Sequence, residues 1–266
     1  MFPLQISEFP STADDFARAL AESIRRFVRV GNDPVHIQAS NYPELEELRI
    51  VVDHGEICAD PLPSPNVSGS KPALRAERME ISGRGISFGG ASLDLAMQAR
   101  QVQLNHGRDR EGNVVLLLQS AIEGSVELTI SKNDLQRLIF GQARIEAKKH
   151  GVSIEDVRLD LRSRGSRSLD ADVQVQARKF FLGATVTIKS RLDIDENLTA
   201  KLSELRCRGD GTLGAFACNF FSPILDRANN REVSLMALTM GEVRLRDLQL
   251  AIGDTLRISA QFGTAP

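Results

Sequence analysis

Leu169–Lys179 reads LDADVQVQARK, and after two phenylalanines Leu182–Ile194 reads LGATVTIKSRLDI. In the first run Val173, Val175 and Ala177 alternate with Asp172, Gln174 and Gln176. In the second, Ala184, Val186, Ile188, Leu192 and Ile194 alternate with Thr185, Thr187, Lys189, Arg191 and Asp193. A period of two sends successive side chains to opposite faces of a strand. One face is then apolar and the other wet, the pattern of an antiparallel sheet. Short turns at Arg164-Gly165-Ser166, Phe181-Leu182-Gly183 and Asp195-Glu196-Asn197 link strands expected over Val152–Leu161, Leu169–Lys179, Leu182–Ile194 and Leu198–Cys207. These strands form a meander.

The same period governs Val35 to Ile130. Leu93, Leu95, Met97 and Ala99 hold one parity, and Val102 and Leu104 the other. Such a slip, at Arg100 and Gln101, is what a β-bulge produces. Asp60–Pro72, with four prolines and several serines, reads as a loop. Final strands are expected over Val243–Ile252 and Leu256–Phe262.

Three stretches change to helical spacing. Ala13, Phe16, Ala17, Leu20, Ile24, Phe27 and Val28 share one face of a helix over about Thr12–Val30, with Ser11 and Asp14 as its capping pair. Gly31 and Pro34 end it. A second helix starts at Ser131, three residues before Asp134, and ends at Gly151 after Lys148, Lys149 and His150. A third covers about Thr212–Asn229. Leu213, Phe216, Ala217, Phe220 and Ile224 line one side of it, Phe221 and Leu225 widen that side, and Pro223 kinks the helix.

Composition narrows the function. The chain of 266 residues carries 33 basic and 35 acidic side chains, net −2, without the strongly basic face of a nucleic-acid binder. It has 12 Phe, one Tyr and no Trp, so its aromatic surface suits dry interiors or hydrocarbon. Cys58, Cys207 and Cys218 lack metal spacing and read as reduced, buried small residues, which places the chain in a reducing compartment, cytoplasmic or peripheral to a membrane. No run approaches a spanning helix of ~18 apolar residues, and the N-terminus lacks the pattern of a signal peptide. His36, His54, His106 and His150 are scattered, and no metal, nucleophile or P-loop motif occurs.

Gly209-Asp210-Gly211-Thr212-Leu213-Gly214 fits G-x-G-x-x-G and has Glu232 about 20 residues downstream, where a ribose-binding acid sits in dinucleotide folds. The preceding Leu205, Arg206, Cys207 and Arg208 alternate, however, whereas a dinucleotide-binding strand is apolar on both faces. A flexible strand-to-helix turn is the expectation. At the hairpin Arg178–Gly183, Phe180 and Phe181 beside Lys179 suit a tip entering a bilayer interface, the alternative being rings folded back onto the core. Arg164 and Arg167, on the neighbouring turn, are expected to meet anionic headgroups or simply water.

From Ser125 onward the order of features resembles the LmeA-like phospholipid-binding family of bacteria. The residues that carry the resemblance are Val126–Leu138, a strand running into a helix; the paired strands around Ala171–Ala177 and Ala184–Ile194; Phe221-Ser222-Pro223-Ile224-Leu225-Asp226; and Met240–Leu250. The resemblance implies phospholipid binding without catalysis. By looser similarity it implies a tubular lipid-binding architecture.

The expected fold is thus α+β, with long, curved antiparallel sheets wrapping amphipathic helices in one domain over 1–266; two subdomains, 1–124 and 125–266, stay open. The expected function is non-enzymatic binding of phospholipid or another acyl-chain lipid with peripheral membrane association, without cofactor, metal or nucleic acid. A ligand-free protein-interaction scaffold and a nucleotide-using enzyme built on the Gly209–Gly214 turn are the alternatives. Acyl contact is expected at Phe216, Phe220, Phe221 and Ile224, with Phe16, Leu20 and Ile24 facing them, unless these side chains are plain core.

Overall fold

The structure is a computed structural model describing residues 2–4, 6–58, 67–149, 151–179, 182–211, 214–215, 218, 222, 225–227, 229–235 and 242–264. Its strands are β1 (Phe2–Pro3), β2 (Val28–Arg29), β3 (Val35–Gln38), β4 (Glu44–Val51), β5 (Glu56–Ile57), β6 (Ser68–Phe88), β7 (Ala91–Arg108), β8 (Val114–Ser120) and β9 (Glu123–Ser131), followed by β10 (Ser153–Gly165), β11 (Ser168–Lys179), β12 (Leu182–Ile194), β13 (Thr199–Gly209), β14 (Arg231–Ser234), β15 (Val243–Ile252) and β16 (Thr255–Thr264). Helix α1 spans Ala13–Phe27 and α2 spans Lys132–Lys149.

Two large, curved sheets result, and neither closes into a barrel. An 11-stranded sheet holds β1–β9 together with β15 and β16, of which β16 returns to pair with β9. A 5-stranded sheet runs β10-β11-β12-β13-β14, entirely antiparallel. The larger sheet contains two parallel ladders, β4 on β6 and β5 on β6, where all-antiparallel pairing was expected. Its spine is the β6–β7 hairpin, whose strands of 21 and 18 residues turn at Gly89 and Gly90, both at positive φ. The part of the expected loop from Ser68 to Pro72 belongs to β6 instead.

The slip at Arg100 and Gln101 has a visible cause. Gln101 takes φ 48°, and there β7 exchanges its neighbour β9 for β8. Helix α1 is shorter than expected and capped one residue later. Thr12 Oγ1 accepts from the Asp15 backbone N–H and donates to the Asp15 carboxylate, in place of the expected Ser11–Asp14 pair. For α2 the expected cap holds: Ser131 Oγ accepts from the Asp134 N–H at 3.0 Å and donates to its carboxylate at 2.5 Å.

The main core lies between α1 and the larger sheet, where Phe16, Leu20 and Ile24 pack with Leu45, Leu48, Leu74, Val102, Leu104 and Val114. A second, smaller cluster joins the sheets. Leu161, Leu169, Ile194 and Leu198 meet Leu250, flanked by Leu135 of α2 and by Leu245, Leu256 and Ile258.

Candidate functional site

Cross-strand register fixes which residues of the smaller sheet share a face. Leu159 pairs with Val173, Val173 with Ile188 and Ile188 with Cys207; Val157 pairs with Val175, Val175 with Val186 and Val186 with Gly209. Leu169, Leu192 and Leu202 form a further row. All three rows lie on one side. The reverse side is a grid of charge, with Arg162 on Asp172 at 2.7 Å, Lys189 on Asp172 at 3.3 Å and Arg191 on Asp170 at 2.8 Å. Such a grid of paired charges, with Arg162 and Lys189 more than half exposed, marks the side that faces water.

The apolar side is covered unevenly. The rows through Leu161 and Leu169 are closed by β15, β16 and Leu135. Val173, Val175, Ala177, Ala184 and Ile188 remain only half-buried. Helix α2 runs back along β10, and the amide oxygen of Gln136 accepts from the Leu159 N–H at 3.3 Å. None of the 18 residues of α2 is buried, although Leu135, Leu138, Ile139 and Phe140 are apolar. A sheet face and a helix side that pack flush would bury such side chains. Here both stay partly open.

Past β13 the chain folds back on itself. Gly209 and Gly214 meet backbone to backbone: a Cβ on Gly209 would stand 2.0 Å from the Gly214 carbonyl carbon. The Asp210 N–H donates to the Thr185 carbonyl at 3.0 Å. The glycines of the G-x-G-x-x-G stretch therefore serve a close approach within the chain, and the strand before them belongs to an antiparallel meander. Cys207 and Cys218 are bonded to each other, which corrects the expectation of reduced cysteines. Alternation set Cys207 apart from its charged neighbours Arg206 and Arg208, but nothing in the linear order showed that it meets Cys218. Cys58 is unpaired.

Phe16, Leu20 and Ile24 lie inside the main core, Phe16 with no exposed surface. Phe216, Phe220, Phe221 and Ile224 fall outside the described residues, as do Phe180, Phe181 and the side chain of Lys179. Of the described positions in and next to the expected third helix, Gly211, Gly214, Ala215, Cys218, Ser222 and Leu225–Arg227 are helical and Asn229 is in a turn. Arg164 pairs with Asp170 at 3.4 Å, and Arg167 pairs with Asp247 of β15. The Ser166 carbonyl accepts from the Leu250 N–H at 2.6 Å, so this turn is packed on the larger sheet. The other candidate docking turn, after Lys179, lies at the far end of the 12-residue β11, roughly 40 Å away.

A concavity of 590 Å³ opens on the larger sheet, lined by Glu44, Glu46, Arg75, Glu77, Gln101 and Gln103 among others. Leu45, Ala76, Val102 and Ile122 complete its mixed polar and apolar lining. Among the described residues no group of three or more His, Cys, Asp or Glu is placed to hold a metal ion, and no helix is long and apolar enough to cross a membrane. Comparison with protein-family models, curated proteins and solved structures returned no match.

Proposed function

We propose that this protein binds an acyl-chain lipid, without catalysis, against the open rows of the five-stranded sheet. The observation that carries this reading is the unequal burial of one continuous apolar face. On it Val157, Leu161, Leu169, Val186 and Ile194 are buried, while Val173, Val175, Ala177, Ala184 and Ile188 are half-buried and no residue of α2 is buried. Apolar area left open at the edge of a packed cluster is favourable ground for a hydrocarbon guest. Each methylene moved out of water contributes about 0.8 kcal/mol, so about ten methylenes would supply about 8 kcal/mol, the scale of micromolar binding.

Val173, Val175 and Ile188 are the proposed floor, with Phe140 on the α2 side. A curved antiparallel sheet beside a helix is compatible with a tubular lipid-binding arrangement, and the resemblance to the LmeA-like family points to phospholipid. Phe16, Leu20 and Ile24 are not included in this site, because they pack among the side chains of the main core.

The test is organic extraction of freshly purified protein followed by mass spectrometry. Stoichiometric phospholipid or fatty acid is expected, together with a higher melting temperature on adding lipid. Protein that yields no lipid and melts at the same temperature with and without it would end this reading. A nucleotide-dependent rise in melting temperature would favour an enzyme using the Gly209–Gly214 turn.

A further inference from the structure

We infer that α2 is a membrane-docking helix whose outward side, with Phe88 of the β6–β7 turn, seats on an anionic bilayer. The inference rests on the lipid-binding reading for the class of partner and on separate observations for the surface.

The first observation is exposure. Among the described residues the exposed large hydrophobic side chains are Phe88 (43%), Ile122 (57%), Ile145 (59%) and Val233 (46%). Two of these belong to one junction. The turn that follows Phe88 is held on α2: the Ser92 N–H donates to Asp134 at 3.2 Å, and a Cβ on Gly89 would stand 3.0 Å from Leu138 Cδ2. A Cβ on Gly141 would lie 3.9 Å from the Gly89 carbonyl oxygen, and Ile145 is one helical turn beyond Gly141.

The second observation is charge. Helix α2 carries Lys132, Arg137, Arg144, Lys148 and Lys149 against Asp134 and Glu146, net +3, within a chain of net −2. Both carboxylates are engaged, Asp134 by Ser131, Ser92 and Arg137, and Glu146 by Lys149 at 2.7 Å. Lys132, Arg144 and Lys148 form no ion pair among the described residues. A basic helix with open apolar side chains lies in the interfacial plane, its hydrocarbon among acyl chains and its cations on phosphates. The surface is a convex helix side next to a turn. A fluid bilayer moulds to a convex surface, whereas a folded protein would need a matching groove.

The chain has no tryptophan, so Ile145→Trp supplies a single fluorophore at the proposed contact. Mixed with vesicles of phosphatidylcholine and phosphatidylglycerol, its emission is expected to shift to the blue. The shift should fall away in pure phosphatidylcholine, and near 1 M salt, where screening acts over ~3 Å. In co-sedimentation, Ile145→Asp with Phe88→Ser, and separately Arg144→Glu with Lys148→Glu, should weaken vesicle affinity about tenfold or more. Val233→Asp, on β14, should leave it unchanged.

The inference is overturned if the wild-type chain ignores anionic vesicles, if the tryptophan spectrum stays fixed while the protein pellets, or if both double variants bind as wild type does. Lipid extraction from the same samples separates the two readings. Loaded protein that ignores vesicles removes docking alone, and empty protein that docks through α2 removes the cargo alone.

Discussion

Cys207, in the apolar row of β13, is bonded to Cys218 across a separation of 11 residues, with their Cα atoms 5.4 Å apart. Together with the contact of Gly209 on Gly214, the bond ties the segment after β13 to the end of the five-stranded sheet. Closing a loop of this size restricts the unfolded chain and contributes about 3 kcal/mol. Cys207→Ser with Cys218→Ser should therefore lower unfolding stability by about 2–4 kcal/mol in urea titration. Alkylation of the denatured, unreduced protein should label Cys58 alone, and all three cysteines after reduction. Three labels without reductant would show that the pair is not bonded.

Val173 tests whether the upper rows are open. Adding bulk to a closed core costs about 1–3 kcal/mol. On a face with vacant space Val173→Phe should change stability by less than about 1 kcal/mol. It should also reduce the lipid recovered by extraction. Phe16→Ala, in the main core, should cost about 3–5 kcal/mol and leave the lipid content alone. A large loss of stability from Val173→Phe would mean the face is already filled.

Gly209 has no room for a side chain, since its Cβ would meet the Gly214 carbonyl carbon and oxygen, both at 2.0 Å. Neither partner is a side chain that can swing away, so Gly209→Ala must push the two segments apart. A loss of about 1–3 kcal/mol is expected, with faster proteolysis between β13 and β14. Gly31→Ala, where a Cβ meets nothing within 4 Å, is the matched control and should melt like wild type.

Acid should weaken the fold in two steps. Burial lowers the pKa of His106, helped by Lys71 and Arg108, where its ring stacks on Phe9 at 5.0 Å. A histidine lowered in the folded state takes up its proton more readily when unfolded, so stability begins to fall as pH drops below about 6.5. Four carboxyls lie below their usual range: Asp134 through its bond from Ser131, Asp170 through Arg191, Asp247 through Arg167, and Asp109, where desolvation is outweighed by bonds from Asn113, Glu111 and Gly112. Their contribution is fully present above about pH 4 and is lost as pH falls through the lowered values. Urea midpoints against pH should show both steps. His106→Asn should remove the upper step only, and Asp170→Asn should shrink the lower.

Much of the secondary structure was legible because it is written in local periodicity. Leu182–Ile194 and Val243–Ile252 appear with the bounds that alternation predicts, and Ser131 caps α2 as its spacing to Asp134 requires. Short, polar β14 escaped, because Arg231–Ser234 has no apolar alternation and is a strand only through its pairing with Leu202–Thr199. Helix α2 read as an ordinary capped helix, since a diluted apolar stripe does not reveal whether anything covers it.

The sequence by itself determined which residues alternate, which wind into helices and which side of each element is greasy, because these depend on neighbours a few positions apart. Tertiary structure alone decided that β16, paired with β15, rejoins β9, that Cys207 meets Cys218 and that Val173, Val175 and Ile188 of the small sheet stay half-buried. Those outcomes depend on register, on sheet curvature and on how surfaces distant along the chain fit together, and one element's pattern carries no record of the surface it will meet.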